Sequence, residues 1–130
     1  TPSTQRDVIS RSAIVEAHGE ASDLVTDVDL NIAGVLLARV LYRKRSGGRD
    51  ILITDTGMND LLRPSHYDAY HRIEAVHTVE GRARFDVVGP ICESGDFLAL
   101  DRELESVDAG ALLCLFTAGA YGISMASNYN

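Results

Sequence analysis

Lysine is nearly missing from this 130-residue chain, cysteine is scarce, and no long apolar run occurs. The two cysteines, Cys92 and Cys114, are too few for the disulfide framework of a small secreted domain. Residues 1–20 hold no apolar core of the kind a secretory leader requires. Nothing approaches the roughly 18 consecutive apolar residues that a membrane helix needs. Together these absences lead to the expectation of a soluble protein of the reducing cytoplasm, with no membrane partner. Positive charge is short as well. Twelve Lys and Arg stand against 19 Asp and Glu, for a net charge of −7, and this argues against nucleic acid, because phosphate binding takes clustered cations facing the ligand. The one basic cluster, Arg43-Lys44-Arg45 with Arg49, flanks Ser46-Gly47-Gly48 and reads as the solvated tip of a hairpin.

A metal site is not expected either. His66 and His71 are five apart, no cysteine pair accompanies them, and neither a closed nor an open zinc spacing is met. A Cys-His acyl-transfer enzyme built on Cys92 has no sequence feature in its favour.

What is there reads as one β domain behind a short acidic segment. The length fits a single domain able to bury about two-thirds of its unfolded surface. Residues 1–30 carry six acids against two arginines, and this shift in composition marks a boundary near residue 30. Thr4 could cap a helix over Gln5–His18 that ends at Gly19, although Ile14 and Val15 suit a strand equally well. From Ile32 the pattern is β. Val35–Tyr42 and Asp50–Asp55 make a hairpin around Gly47-Gly48; Ile73–Val79 and Ala83–Val88 alternate as half-wet strands; Phe97–Leu100 opens another; Ala111–Phe116 is an apolar core strand carrying Cys114. Asp60–Tyr70 reads as a loop with at most one helical turn before Pro64. Short strands between Gly and Pro turns predict an all-β, mainly antiparallel barrel or sandwich.

Polar chemistry concentrates in Val88-Gly89-Pro90-Ile91-Cys92-Glu93-Ser94-Gly95-Asp96, a loop shaped by Gly-Pro and Ser-Gly turns. Glu93 beside Cys92 can bind an ammonium, pass a proton, or simply be solvated, and acidic loops are most often wet surface. Asp96 suits hydrogen bonds to its own loop amides. Arg63 and Tyr67, four apart around a proline, either clamp a carboxylate between guanidinium and phenol or form an Arg63 pair with Asp60 or Asp68 beside a packed tyrosine.

Three stretches in order, Val88–Asp96, Asp55–Pro64 with Tyr67, and Ala118–Gly122 running on to Ser127–Asn130, resemble the C-terminal β domain of the diaminopimelate decarboxylase family. The resemblance covers roughly Ile32 to Asn130. It implies a domain of a pyridoxal-phosphate enzyme of lysine biosynthesis, with an amino-acid substrate and a homo-oligomeric assembly. It implies that Arg63 and Tyr67 contact a substrate carboxylate, that Cys92 approaches the active site of the neighbouring subunit as a catalytic residue, that Glu93 holds the ammonium at the far end of the substrate, and that Tyr121 lies against the cofactor. In that family the Schiff-base lysine and the phosphate cradle come from a (β/α)₈ barrel with no counterpart in this sequence. The single lysine, Lys44, stands in the hairpin, and Thr26–Asn31 puts acids where the family carries Glu-Pro-Gly-Arg. Thr56 and Thr117 replace the family's usual alanine and aspartate. The expectation is therefore a 32–130 β domain with substrate-side residues, binding no pyridoxal phosphate and catalysing nothing by itself. The alternative is a stand-alone binding module of the same ancestry that self-associates or docks on a partner.

Overall fold

The computed structural model describes residues 34–119 and 122–130, which form a curled six-stranded sheet. The acidic segment 1–31, with its possible helix, lies outside the described residues, as does Tyr121. The strands are β1 (Val35–Ser46), β2 (Arg49–Thr54), β3 (Ile73–Ala75), β4 (Arg82–Val88), β5 (Phe97–Glu105) and β6 (Leu112–Phe116), in the order β3-β6-β1-β2-β4-β5.

β1 is the spine. Its first half pairs with β6, from Val35 opposite Phe116 to Arg39 opposite Leu112, and its second half pairs with β2. Between them the register slips from Val40–Thr54 to Tyr42–Ile53, so Leu41 is a bulge. A bulge sharpens the local twist and bends the strand, and here it lets one strand serve both halves of the sheet. Gly47 and Gly48 close the hairpin at φ 58° and 78°, the left-handed pair that a two-residue turn requires. The remaining ladders are antiparallel except one: β2 and β4 run parallel, Asp50 to Ile53 facing Phe85 to Val88. The edge strands curl towards each other. The Ala75 N–H donates to Glu105 Oε2 at 3.3 Å, and Arg102 Nη1 donates to the His71 carbonyl at 2.6 Å. The result is the nearly closed, mostly antiparallel barrel that the strand pattern predicts.

Period-two alternation sends Leu36, Ala38, Val40, Leu52, Phe85, Val87, Leu113 and Leu115 into the core. The same parity explains one departure. Cys114 sits between two inward leucines and faces outward, half-buried, instead of in the core. Two further departures concern element bounds. The strand expected over Ile73–Val79 stops at Ala75, because its partner β6 begins only at Leu112, whose carbonyl takes the last bond from the Val76 N–H. The helical turn expected before Pro64 instead runs through it as α1 (Arg63–Tyr67). Proline in the first turn forfeits only an N–H that has no partner inside the helix. Among the described residues, no helix is long and apolar enough to cross a membrane.

Candidate functional site

The parallel pairing of β2 and β4 places the segments that follow them at the same end of the barrel. β2 leads into the 55–60 loop and β4 into the 89–96 loop, while the Lys44-bearing hairpin tip lies at the opposite end of β2. The two loops are welded by the buried carboxylate of Asp96. Its Oδ1 accepts from the Met58 N–H at 2.7 Å and its Oδ2 from the Ile91 N–H at 2.6 Å. Gly89 donates its N–H to the Asp96 carbonyl, and Asp96 donates to the Glu93 carbonyl. The expected bonding of Asp96 to its own loop is present, and the bond to Met58 adds a reach across to the second loop. Gly57 and Gly89 leave room for this: a Cβ on Gly89 would stand 2.5 Å from both Gly57 Cα and Asp96 Oδ1.

The same end receives α1, whose Ser65 lies against Gly95 of the 89–96 loop, 3.9 Å from where a Cβ would stand. Arg63 is thus on an element packed beside the loop that carries Cys92 and Glu93. Arg63 is half-buried with its guanidinium 5.9 Å from the centre of the Tyr67 ring, and Tyr67 is exposed. Asp60 bonds the Gly57 N–H at 2.9 Å and so braces its own loop. Cys92 is an exposed free thiol, and Glu93 is exposed.

One contact at this site carries no signal in residue spacing. The Tyr129 phenol donates to Glu93 Oε1 at 2.5 Å across 36 positions of sequence. The chain end that carries it is tied down by the Ser127 N–H donating to the Asn59 carbonyl, 2.9 Å, and by Asn59 Nδ2 donating to the Asn130 carbonyl, 3.3 Å. The tyrosine is exposed, and its phenol is pushed above the usual 10.0 by this hydrogen bond and by the charge of Glu93.

His71, a metal candidate by residue type alone, is a buried structural histidine, and no cluster of metal ligands occurs among the described residues. Nδ1 lies 3.0 Å from the Phe116 carbonyl, so Nδ1 carries the proton, and Nε2 is buried with no partner among the described residues. Burial lowers its pKa from 6.5, against the pull of the Phe116 carbonyl, and the nearby charges of Arg63 and Arg102 lower it further. A neutral buried histidine stabilises the fold above its unfolded pKa and ceases to do so as pH falls below it. Stability is expected to drop as pH descends from about 6.5, with a slope of up to about 1.4 kcal/mol per pH unit from this one group. Urea melts of the protein and of His71→Asn over pH 5 to 8 check this: equal acid slopes in the two would refute it.

Comparison with known proteins identifies the family of the chain. A family model described as the C-terminal sheet domain of pyridoxal-dependent decarboxylases matches residues 8–119, beginning upstream of Ile32. The chain is 54% identical over 99 residues to the diaminopimelate decarboxylase of Aquifex aeolicus (strain VF5), covering 75% of this chain and 24% of that protein. It is 40% identical over 138 residues to that of Archaeoglobus fulgidus, covering 98% and 32%. Among solved structures, diaminopimelate decarboxylase from M. jannaschii in complex with L-lysine superposes with a TM-score of 0.72 at 42% identity, covering 75% of this chain and 22% of that one. The chain spans about a quarter to a third of the length of these curated relatives.

Proposed function

The chain belongs to the pyridoxal-dependent decarboxylases, as their C-terminal sheet domain, and from that premise we propose that it forms the substrate-side wall of an enzyme converting meso-diaminopimelate to lysine and carbon dioxide. The observation that carries this reading is the convergence of α1 and the 55–60 and 89–96 loops at one end of the barrel. A zwitterionic amino acid needs both signs of charge there. Arg63 and Tyr67 take a carboxylate, the planar guanidinium bidentately and the phenol as a second donor. Glu93 takes the ammonium at the far end of the substrate, and a substrate lacking that group would leave the carboxylate unpaired, which is how such a site discriminates. Cys92, adjacent and exposed, is the thiol offered for catalysis, and its solvent-facing position suits delivery into the active site of a neighbouring subunit. Tyr121 would lie against the cofactor.

The described residues do not by themselves fit pyridoxal phosphate. Lys44 is the chain's one lysine and is exposed on β1 opposite Ile51, towards the hairpin tip and away from the loops. The cofactor's lysine and phosphate cradle must therefore come from residues other than those described. The test is release of carbon dioxide from carboxyl-labelled meso-diaminopimelate by the protein as its gene encodes it, supplied with pyridoxal phosphate. Turnover of diaminopimelate in preference to ornithine and arginine is the expected result, and preference for either of those would refute the assignment.

A further inference from the structure

We infer that Tyr129 is a positioning and specificity residue: by donating to Glu93 Oε1 it holds that carboxylate in the one orientation that receives the ammonium of a zwitterionic amino acid. The inference rests on the ammonium-binding role proposed for Glu93 and extends it to a residue that has no assigned part. An exposed glutamate has three freely rotating side-chain bonds, so its carboxylate is spread over many positions unless something fixes it. Here the fixing contact is a 2.5 Å hydrogen bond from a phenol, in the short range of O–H donation to an ionised oxygen. It engages one oxygen only. Among the described residues Oε2 has no hydrogen-bond partner, and a carboxylate accepts at both oxygens, so Oε2 remains available to an ammonium.

The tyrosine can act this way because its own segment is anchored. Ser127 donates to the Asn59 carbonyl at 2.9 Å, the Asn130 carbonyl accepts from Asn59 Nδ2 at 3.3 Å, and the Tyr129 N–H reaches Ser127 Oγ at 3.4 Å. Glu93 is thereby referenced to the 55–60 loop, which leads directly into α1 and its Arg63. The distance between the anion-binding and cation-binding ends of the site is set by a chain of hydrogen bonds and not by one mobile side chain. The raised pKa of the phenol keeps it protonated, and therefore a donor, throughout the physiological range.

Two measurements test this. In alkaline ultraviolet titration, the Tyr129 phenol, isolated by difference from Tyr129→Phe, is expected to ionise above 10.0 and to move down in Glu93→Gln; an unchanged midpoint in Glu93→Gln overturns the contact. In calorimetric titration of L-lysine, which carries the zwitterionic centre and lacks the carboxyl group that is lost, into the protein as its gene encodes it, Tyr129→Phe is expected to bind about fivefold more weakly. The double variant is expected to bind no worse than Glu93→Gln alone, because Tyr129 acts through that carboxylate. A Tyr129→Phe penalty that adds in full on the Glu93→Gln background marks a merely structural tyrosine and overturns the inference, as does unchanged affinity in Tyr129→Phe where Glu93→Gln weakens. If Glu93→Gln itself binds L-lysine as tightly as the parent, the ammonium-binding reading falls and this inference falls with it.

Discussion

Gly89→Ala is expected to destabilise the protein by about 3 kcal/mol, as overpacking of about 1–3 kcal/mol adds to the disturbance of a buried hydrogen-bonded carboxylate. The new Cβ would stand 2.5 Å from Gly57 Cα, 2.5 Å from Asp96 Oδ1 and 2.6 Å from Asp96 Oδ2. Neither neighbour can swing away. One is backbone, and the other is held by the N–H groups of Met58 and Ile91. Relief must come from moving one loop off the other, which breaks at least one of those bonds and leaves a donor buried. Gly95, in the same loop, supplies the control, since a Cβ there meets only Ser65 Cβ at ordinary contact distance, 3.9 Å. Gly95→Ala should stay within about 0.5 kcal/mol. Urea midpoints of the two variants decide the matter, and a Gly89→Ala protein as stable as Gly95→Ala would mean that the loops are not clamped.

The contrast between these two glycines shows which parts of the molecule could be read from residues. Local chemistry was legible. The Gly47-Gly48 turn and the apolar run of β6 follow from positive φ and from composition, each decided within a few neighbours. The all-β barrel follows from the sum of such signals. Arg43, expected at a solvated tip, instead lies over the Phe85 ring and pairs with Asp108, partners far along the chain. Strand ends were less legible because they depend on the partner: nothing in Val76-His77-Thr78-Val79 says that β6 starts too late to pair with them. Pro64 was misplaced for a related reason, since the same proline can close a preceding turn or open a following one, and here it is buried in the first turn of α1. The parallel register of β2 and β4 left no local trace at all. That register brings the 55–60 and 89–96 loops together, and with it come the Asp96–Met58 and Tyr129–Glu93 bonds. Arg63, Tyr67, Cys92 and Glu93 stood out through the resemblance of three ordered stretches, whereas their residue types alone fitted ordinary surface chemistry just as well.

Arg63→Ala and Glu93→Ala are expected to leave stability within about 1 kcal/mol of the parent while lowering kcat/KM for meso-diaminopimelate roughly 10- to 150-fold, the equivalent of the 1.5–3 kcal/mol carried by a hydrogen bond to a charged group. Glu93 is exposed, and its side chain bonds Tyr129, which is exposed as well, so its removal opens no cavity. Arg63 is half-buried on the short helix α1, whose one buried residue is its neighbour Pro64. Arg63→Lys separates charge from shape. Lysine keeps the positive charge but lacks the planar fork that grips a carboxylate bidentately, so it should recover only part of the loss. Thermal melts beside the kinetics distinguish recognition from folding. If Arg63→Ala unfolds the domain, the guanidinium is a structural brace for α1 against the 89–96 loop, and the carboxylate must be bound by another cation.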